Sequence, residues 1–338
     1  MPDPRIAVLF ALLAMPFFAS CGKEAKELRK VAGQLGEIRE KLANPPRPKG
    51  PPHERVGWQA EEFFTDEKVL ALCEAIESKD LAKIDKRIAE GADVNAKGRG
   101  NMTPLLWAFP MGEEVFQRIL EHGADPNVQL TEDPEVSRQL ERAGIYPTHS
   151  VTYLAAYASG LLLVNFHDIN MDNYLRLVLE HGGDVNLETA SGRTPLFGAA
   201  TGVGNSAERV QLLLEAGADI NHQDDLETTA AMRATGWHYN NLIVLLEAGA
   251  DCRIVAGGGG QDVVLLVAKR SRHLKPGLFP DLRRVCDFLE QQGYDLDAAR
   301  STLAARAADP RHPCYGLPAD QRPWLQPSPP AGSAEREQ

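Results

Sequence analysis

Val210-Gln211-Leu212-Leu213-Leu214-Glu215-Ala216-Gly217-Ala218-Asp219-Ile220-Asn221 runs an apolar helical stripe into a glycine and then turns. Aligned on that glycine, apolar residues stand at −7, −4 and −3: Val210, Leu213 and Leu214. The register returns as Leu242, Leu245 and Leu246 before Gly249, Leu175, Val178 and Leu179 before Gly182, and Phe116, Ile119 and Leu120 before Gly123. Ile84 and Ile88 before Gly91 continue it, with Arg87 breaking the stripe, and a sixth copy shifts by one, with Val285, Phe288 and Leu289 before Gly293. A helix that ends on Gly uses a left-handed cap without steric penalty, and the stripe buries one face on a neighbour. Small pairs such as Ala155-Ala156 and Ala199-Ala200 let helices approach closely. No single copy can bury its own stripe, so stability is a sum over stacked neighbours.

Each glycine opens Gly-Ala-Asp or a near variant, continued as Val94-Asn95, Pro126-Asn127, Val185-Asn186 and Ile220-Asn221. Thr103-Pro104-Leu105 and Thr194-Pro195-Leu196 fall eight positions after Asn95 and Asn186. There the threonine hydroxyl is placed to cap a helix and proline is tolerated in its first turn. These residues resemble the ankyrin family over about residues 66–300. The resemblance implies an all-α solenoid of about six helix-turn-helix repeats with hairpin tips, a concave recognition surface and no catalysis. Glycine-to-glycine gaps of 32, 59, 35, 32 and 44 place an insertion near 128–147 and a longer last repeat, with the repeat domain over 53–304 and a Pro-rich, partly disordered tail over 305–338.

The N-terminal segment reads differently. Arg5 precedes the apolar run Ile6 to Phe18, too short to span a bilayer comfortably. The run ends in Phe18-Ala19-Ser20-Cys21-Gly22, which resembles the lipobox of bacterial lipoproteins, with Phe18 where an aliphatic residue is usual. That resemblance implies a signal peptide over 1–20, lipid on Cys21, and a place on the periplasmic side of the envelope. Gly22 favours the outer membrane over the inner. Over 21–52, Leu28, Val31, Leu35, Ile38 and Leu42 line one seam of an amphipathic stalk helix, weakened by Gly33 and Gly36, and a Pro-rich spacer follows from Pro45. Two and a half heptads leave self-association of the stalk open.

Net charge is −11 for the 338 residues, yet residues 23–50 sum to +4, so the body from 51 onward carries −15. The basic stretch suits anionic headgroups, while the acidic body argues against nucleic acid and for a neutral or basic protein partner. Cys73, Cys252, Cys286 and Cys314 match no zinc spacing and no pairing is assigned.

Catalytic chemistry finds no footing. The repeated Asp93, Asp125, Asp184, Asp219, Asp251 and Asp295 are expected to accept backbone N–H groups in turns. A stretch from Asp168 fails as a calcium loop, with Asn173 in place of Gly and Leu179 in place of Glu. His122 and His181 occupy matching places before the capping glycine, which points to structural contacts. Gly257 to Gly260 follow no strand and read as a flexible hairpin. No metalloprotease helix, nucleophile elbow or phosphate loop is present, and no cofactor, metal or enzymatic activity is expected.

The resemblance implies recognition residues at the hairpin tips and first-helix ends; the tips hold Lys97, Arg99 and Met102; Glu188 and Arg193; His222, Gln223 and Asp225. Met111, Tyr157 and Trp237 stand at first-helix ends. Trp237 has two readings, an exposed interface anchor or a plug in the loop of its own repeat. Two functions fit: a lipid-anchored inhibitor or immunity protein against a periplasmic toxin, or an envelope scaffold that organises a resident complex.

Overall fold

The computed structural model describes residues 57–142, 145–157, 170–202, 206–257, 260–272, 279–309, 311–312 and 317–325. The signal peptide, Cys21, the stalk, the Pro-rich spacer, Cys314, the loop around Asp168 and residues 258–259 lie outside them. The body, Gly50–Gln338, is one compact unit. A short α1 (Ala60–Phe63) precedes six helix pairs: α2 and α3 (Glu67–Glu77, Leu81–Ala89), α4 and α5 (Pro104–Ala108, Glu113–Glu121), α7 and α8 (Val151–Tyr157, Met171–Glu180), α9 and α10 (Pro195–Thr201, Ser206–Glu215), α11 and α12 (Ala230–Ala234, Tyr239–Glu247), and α13 and α14 (Val263–Ser271, Pro280–Gln291). α6 (Ser137–Arg142) lies in the insertion, and α15 (Leu296–Ala308) follows the last pair.

The stripe behaves as the period demands. Ile84, Phe116, Ile119, Leu175, Val178, Val210, Leu213, Leu242, Leu245, Val285 and Leu289 are all 0% exposed and belong to one continuous core. The six capping glycines have φ between +83° and +95°, where a side chain would be strained. Ala155, Ala156, Ala199 and Ala200 are fully buried. At Gly198 a Cβ would stand 3.0 Å from Tyr157 Cβ and 3.2 Å from its Cα, so α7 and α9 meet almost backbone to backbone.

The turn aspartates act as expected: Asp93, Asp125, Asp184 and Asp219 each accept the N–H two residues on, at 2.8 to 2.9 Å. Asp295 departs from this and caps α15 through Ala298 N–H. The asparagine at the end of each turn ties one repeat to the next. Asn95 Nδ2 donates to Gly123 O at 2.9 Å while its Oδ1 accepts Asp125 N–H at 2.7 Å. Asn127 does the same with Gly182 and Asp184, and Asn186 with Gly217 and Asp219. Asn221 accepts from Asp251 N–H at 2.9 Å.

The first helices of the repeats from α4 onward start by one rule with one exception. Thr103, Ser150, Thr229 and Asp262 accept an N–H three residues on, at 2.8 to 3.3 Å. Thr194, expected to cap α9, does not; its Oγ1 is buried without a hydrogen-bond partner, and proline alone starts that helix.

Both ends of the stack are covered. At the first repeat, Trp58, Phe63 and Phe64 pack their rings 5.6 to 6.3 Å from Trp107. At the last, residues 317–325 fold back, and Trp324 and Leu325 are buried, so this part of the expected tail is core. The insertion is also ordered inward: Leu130, Val136, Leu140 and Ile145 are buried. Cys73, Cys252 and Cys286 are buried free thiols.

Candidate protein-binding groove

The segment entering α7 and the start of α9 form the floor of a groove with a cavity volume of about 590 Å³. Its rings come from one short stretch. His149 stacks on Tyr153 at 4.3 Å, with Tyr146 at 5.6 Å on its other flank and Tyr157 5.9 Å from Tyr153. Tyr153 and Tyr157 are one helical turn apart on α7, so they share a face; the insertion brings Tyr146 and His149 up to it. Thr189, Arg193, Phe197, Thr201, Asp225 and Arg233 complete the walls.

One carboxylate organises the charged wall. Asp224, whose side chain is 1% exposed, accepts from Arg233 Nη2 at 2.7 Å and Arg193 Nε at 3.2 Å on Oδ2. Its Oδ1 accepts from the Thr228 hydroxyl at 2.7 Å and from the N–H groups of Leu226 and Thr228. Burial pushes this carboxyl up, but the donors, Arg233 first, outweigh it and bring it down to about 2. Both arginines stay partly exposed, at 37% and 31%, so the groove presents cationic edges fixed from behind. Burial, reinforced by the Arg193 charge, lowers His149 to about 4, which leaves the ring neutral at neutral pH with Nδ1 unpartnered. Burial raises Tyr153 to about 12 and also raises Tyr157, so both phenols are protonated hydrogen-bonding groups. Flat rings, neutral donors and acceptors and two braced guanidinium groups suit a polypeptide segment with an apolar side chain and backbone carbonyls.

Of the residues expected from sequence, the structure brings Tyr157, Arg193 and Asp225 together in this groove. Two expectations are corrected. Met102 is 0% and Met111 1% exposed, and neither has surface to offer a partner. Met102 lies at the base of its hairpin, where its carbonyl accepts Gly98 N–H at 2.8 Å, and Met111 is turned into the core by a 3-10 turn, Phe109–Met111. Lys97 and Arg99 line a separate cleft with Phe63 and Phe64 at the first tip, and Arg99 is ion-paired to Asp133 and Glu135 of the insertion. Glu188 is exposed, while His222 Nε2 is bonded to Gly192 O at 2.8 Å and Gln223 Nε2 to Glu227 O at 2.8 Å within the hairpins. Trp237 does not line the groove. It is 60% exposed and packs on Phe279 of the next repeat, which excludes the plug reading.

The sequence reading missed Tyr146, His149, Tyr153, Asp224 and Arg233. The one available signal was local: Tyr146, His149, Tyr153 and Tyr157 are four rings within twelve residues. The matched histidines also diverge. His122 Nε2 reaches Asp85 of the preceding repeat at 2.8 Å, whereas His181 Nδ1 meets Leu177 O of its own helix at 2.8 Å.

Among the described residues, no cluster of His, Cys, Asp or Glu could hold a metal ion, and no helix is long and apolar enough to cross a membrane. A family model described as ankyrin repeats (3 copies) matches residues 162–256, which span α8 to α12. Among curated proteins, the chain is 38% identical over 110 residues to ankyrin repeat and SAM domain-containing protein 6 of Rattus norvegicus, covering 30% of this chain and 12% of that protein. It is 40% identical over 62 residues to mitochondrial disaggregase of Homo sapiens, covering 18% and 9%. The similarity therefore spans a small part of either relative, and ankyrin repeats indicate a protein–protein interaction module. The glycine caps that end the second helices recur along the whole body, and three of those units lie in the segment the family model recognises: the chain carries ankyrin repeats and has an all-α ankyrin-repeat fold.

Proposed function

We propose that this protein is a non-catalytic module that seats one protein partner in the groove between Tyr146, His149, Tyr157 and the arginines held by Asp224. The observation that carries the reading is that groove itself. It joins an aromatic floor to two guanidinium groups whose position is fixed by a buried carboxylate, and such preorganised aromatic and Arg anchors are where interface energy concentrates. A groove whose charged wall is braced from behind favours one discrete partner, as an inhibitor or immunity protein has, over the diffuse contacts of a scaffold. The acidic body favours a neutral or basic partner, so association slows as salt rises. The Phe18-Ala19-Ser20-Cys21 motif supports a lipid anchor on Cys21 and a periplasmic position, outer membrane over inner, with the stalk as spacer.

The test is capture from envelope extract on residues 53–325, followed by calorimetry with the purified partner. Changing Tyr146 and Tyr157 together to Ala weakens binding more than about tenfold, or about 1.4 kcal/mol, with helicity kept. Trp237→Ala, outside the groove, leaves affinity unchanged. Equal affinity of the double variant removes the groove from function, and turnover of the captured protein overturns the non-catalytic reading. Mass spectrometry of the mature N-terminus tests the anchor; a start other than a lipid-modified Cys21 refutes it.

A further inference from the structure

Large apolar side chains are exposed at four described positions: Tyr146, which lines the groove, Leu226 at a hairpin tip, and the pair Trp237 and Phe279. The pair is built from two different repeats. Trp237 stands in the helix-to-helix loop of the fifth, Phe279 just before α14 in the sixth, and their ring centroids are 6.0 Å apart. Phe279 holds a left-handed backbone, φ 55°, unfavourable for a side chain of its size, while 41% of it remains in solvent. Nothing in the groove or the core uses either ring.

The surroundings are basic, in a body that is otherwise strongly acidic. Arg270 Cζ lies 5.2 Å from the centre of the Trp237 ring. Lys269, Arg270 and Arg272 at the end of α13, with Arg283 and Arg284 in the first turns of α14, are all exposed. Arg272 and Arg283 line one shallow depression, which Arg300, Asp287 and Glu290 also line. Counting Arg300, six cations stand here against three acids, the half-buried Asp281 and the exposed Asp287 and Glu290. Charge is therefore segregated: the body's excess is −15, and the sign reverses on the two helices that adjoin these rings.

We propose that this patch rests on the surface of an anionic lipid bilayer. Indole rings partition to the headgroup layer, where one face is apolar and the N–H finds water. Arginine and lysine beside them keep their stems along apolar surface and their charges among phosphates. Exposed loop rings with an arginine against one of them and further cations on the two adjoining helices fit a surface that yields around them, whereas a bound peptide needs walls, and neither ring lines the groove or the cleft at the first tip. The proposal rests on the patch alone and stands whether or not Cys21 carries lipid.

The body reports on this directly. Trp58, Trp107 and Trp324 are at most 2% exposed, so collisional quenching by acrylamide reads Trp237. Residues 50–338 form one compact unit with a continuous core covered at both ends, and serve as the test protein. With vesicles of phosphatidylcholine containing phosphatidylglycerol, Trp237 emission shifts to the blue and loses its quenching, and added salt reverses both. Arg270→Gln with Arg283→Gln and Arg284→Gln weakens partitioning about tenfold or more. Trp237→Ser with Phe279→Ser, read by sedimentation with the vesicles, also abolishes it; both sites are exposed, and an unchanged thermal melt shows the fold intact. Tyr146→Ala with Tyr157→Ala, which empties the groove, leaves vesicle binding as it was, separating this result from the groove's. Unchanged quenching on anionic vesicles overturns the proposal. So does equal binding to pure phosphatidylcholine, or protection of Trp237 by an acidic peptide or an oligonucleotide with none from vesicles.

Discussion

Trp324 donates its indole N–H to Asp262 Oδ2 at 3.0 Å, joining two fully buried side chains that are sixty-two residues apart. Asp262 also caps α13 through Leu265 N–H at 2.8 Å and accepts from Arg322 Nη1 at 3.0 Å. Burial pushes this carboxyl up, and the donors around it work against that. Trp324→Phe keeps the ring and removes one donor from a buried carboxylate, so it lowers unfolding free energy by about 1 to 3 kcal/mol. Ending the chain at residue 316 removes both donors and two core side chains, and is worse. Urea titration of the two variants measures the difference, and equal stability of all three proteins would show the segment to be dispensable.

The repeat stripe and the hairpin tips separate cleanly in cost. Leu213 and Leu245 are 0% exposed between stacked repeats, and truncation to Ala at either destabilises by about 2 to 5 kcal/mol. Glu188→Ala and Lys97→Ala stay within about 0.5 kcal/mol of the parent. Melts of the four variants check both halves.

Acid reaches the groove in two stages. The folded pKa of His149 is lowered from 6.5 to about 4, so the unfolded chain binds a proton first and stability falls as pH drops from about 6.5 to 4. Asp224 is lowered from 3.8 to about 2, so its contribution, about 2 kcal/mol, is present above pH 4 and is lost between roughly 4 and 2. His149→Phe therefore flattens the upper stage, and Asp224→Asn the lower one, in chemical denaturation followed against pH. A profile for His149→Phe parallel to the parent's above pH 4 would mean the ring is not held neutral by the fold.

What could be read from sequence was local. A capping glycine and a stripe at −7 and −4 depend on one helix and its immediate turn, and Ile119, Val178, Leu213 and Leu245 at −4 are all buried where that pattern puts them, Arg87 being the one break. Met102 and Met111 were misplaced because tip and base of a hairpin differ by the direction of one turn, which the residue type does not specify. The groove was half legible. Tyr157, Arg193 and Asp225 follow from counting within repeats, but Asp224 matters only because α11 returns Arg233 to it, and His149 only because the insertion delivers it to Tyr153. Trp324 was out of reach for the same reason: its partner is a repeat earlier in the chain.

The asparagine rungs also say how the body bears force. Asn95, Asn127, Asn186 and Asn221 each couple one turn to the next, but Arg253 stands where the following asparagine would be, and the last turn is joined instead through Asp295 N–H to Trp324 O at 3.4 Å. If a partner sits in the proposed groove on Tyr157 and Arg193, a pull from the N-terminal side would load the first rungs in series, while the sixth repeat, beyond the point of attachment, would carry no tension. Phe279 of that repeat, with Trp237 of the repeat before it, can then rest on another surface without slackening the grip.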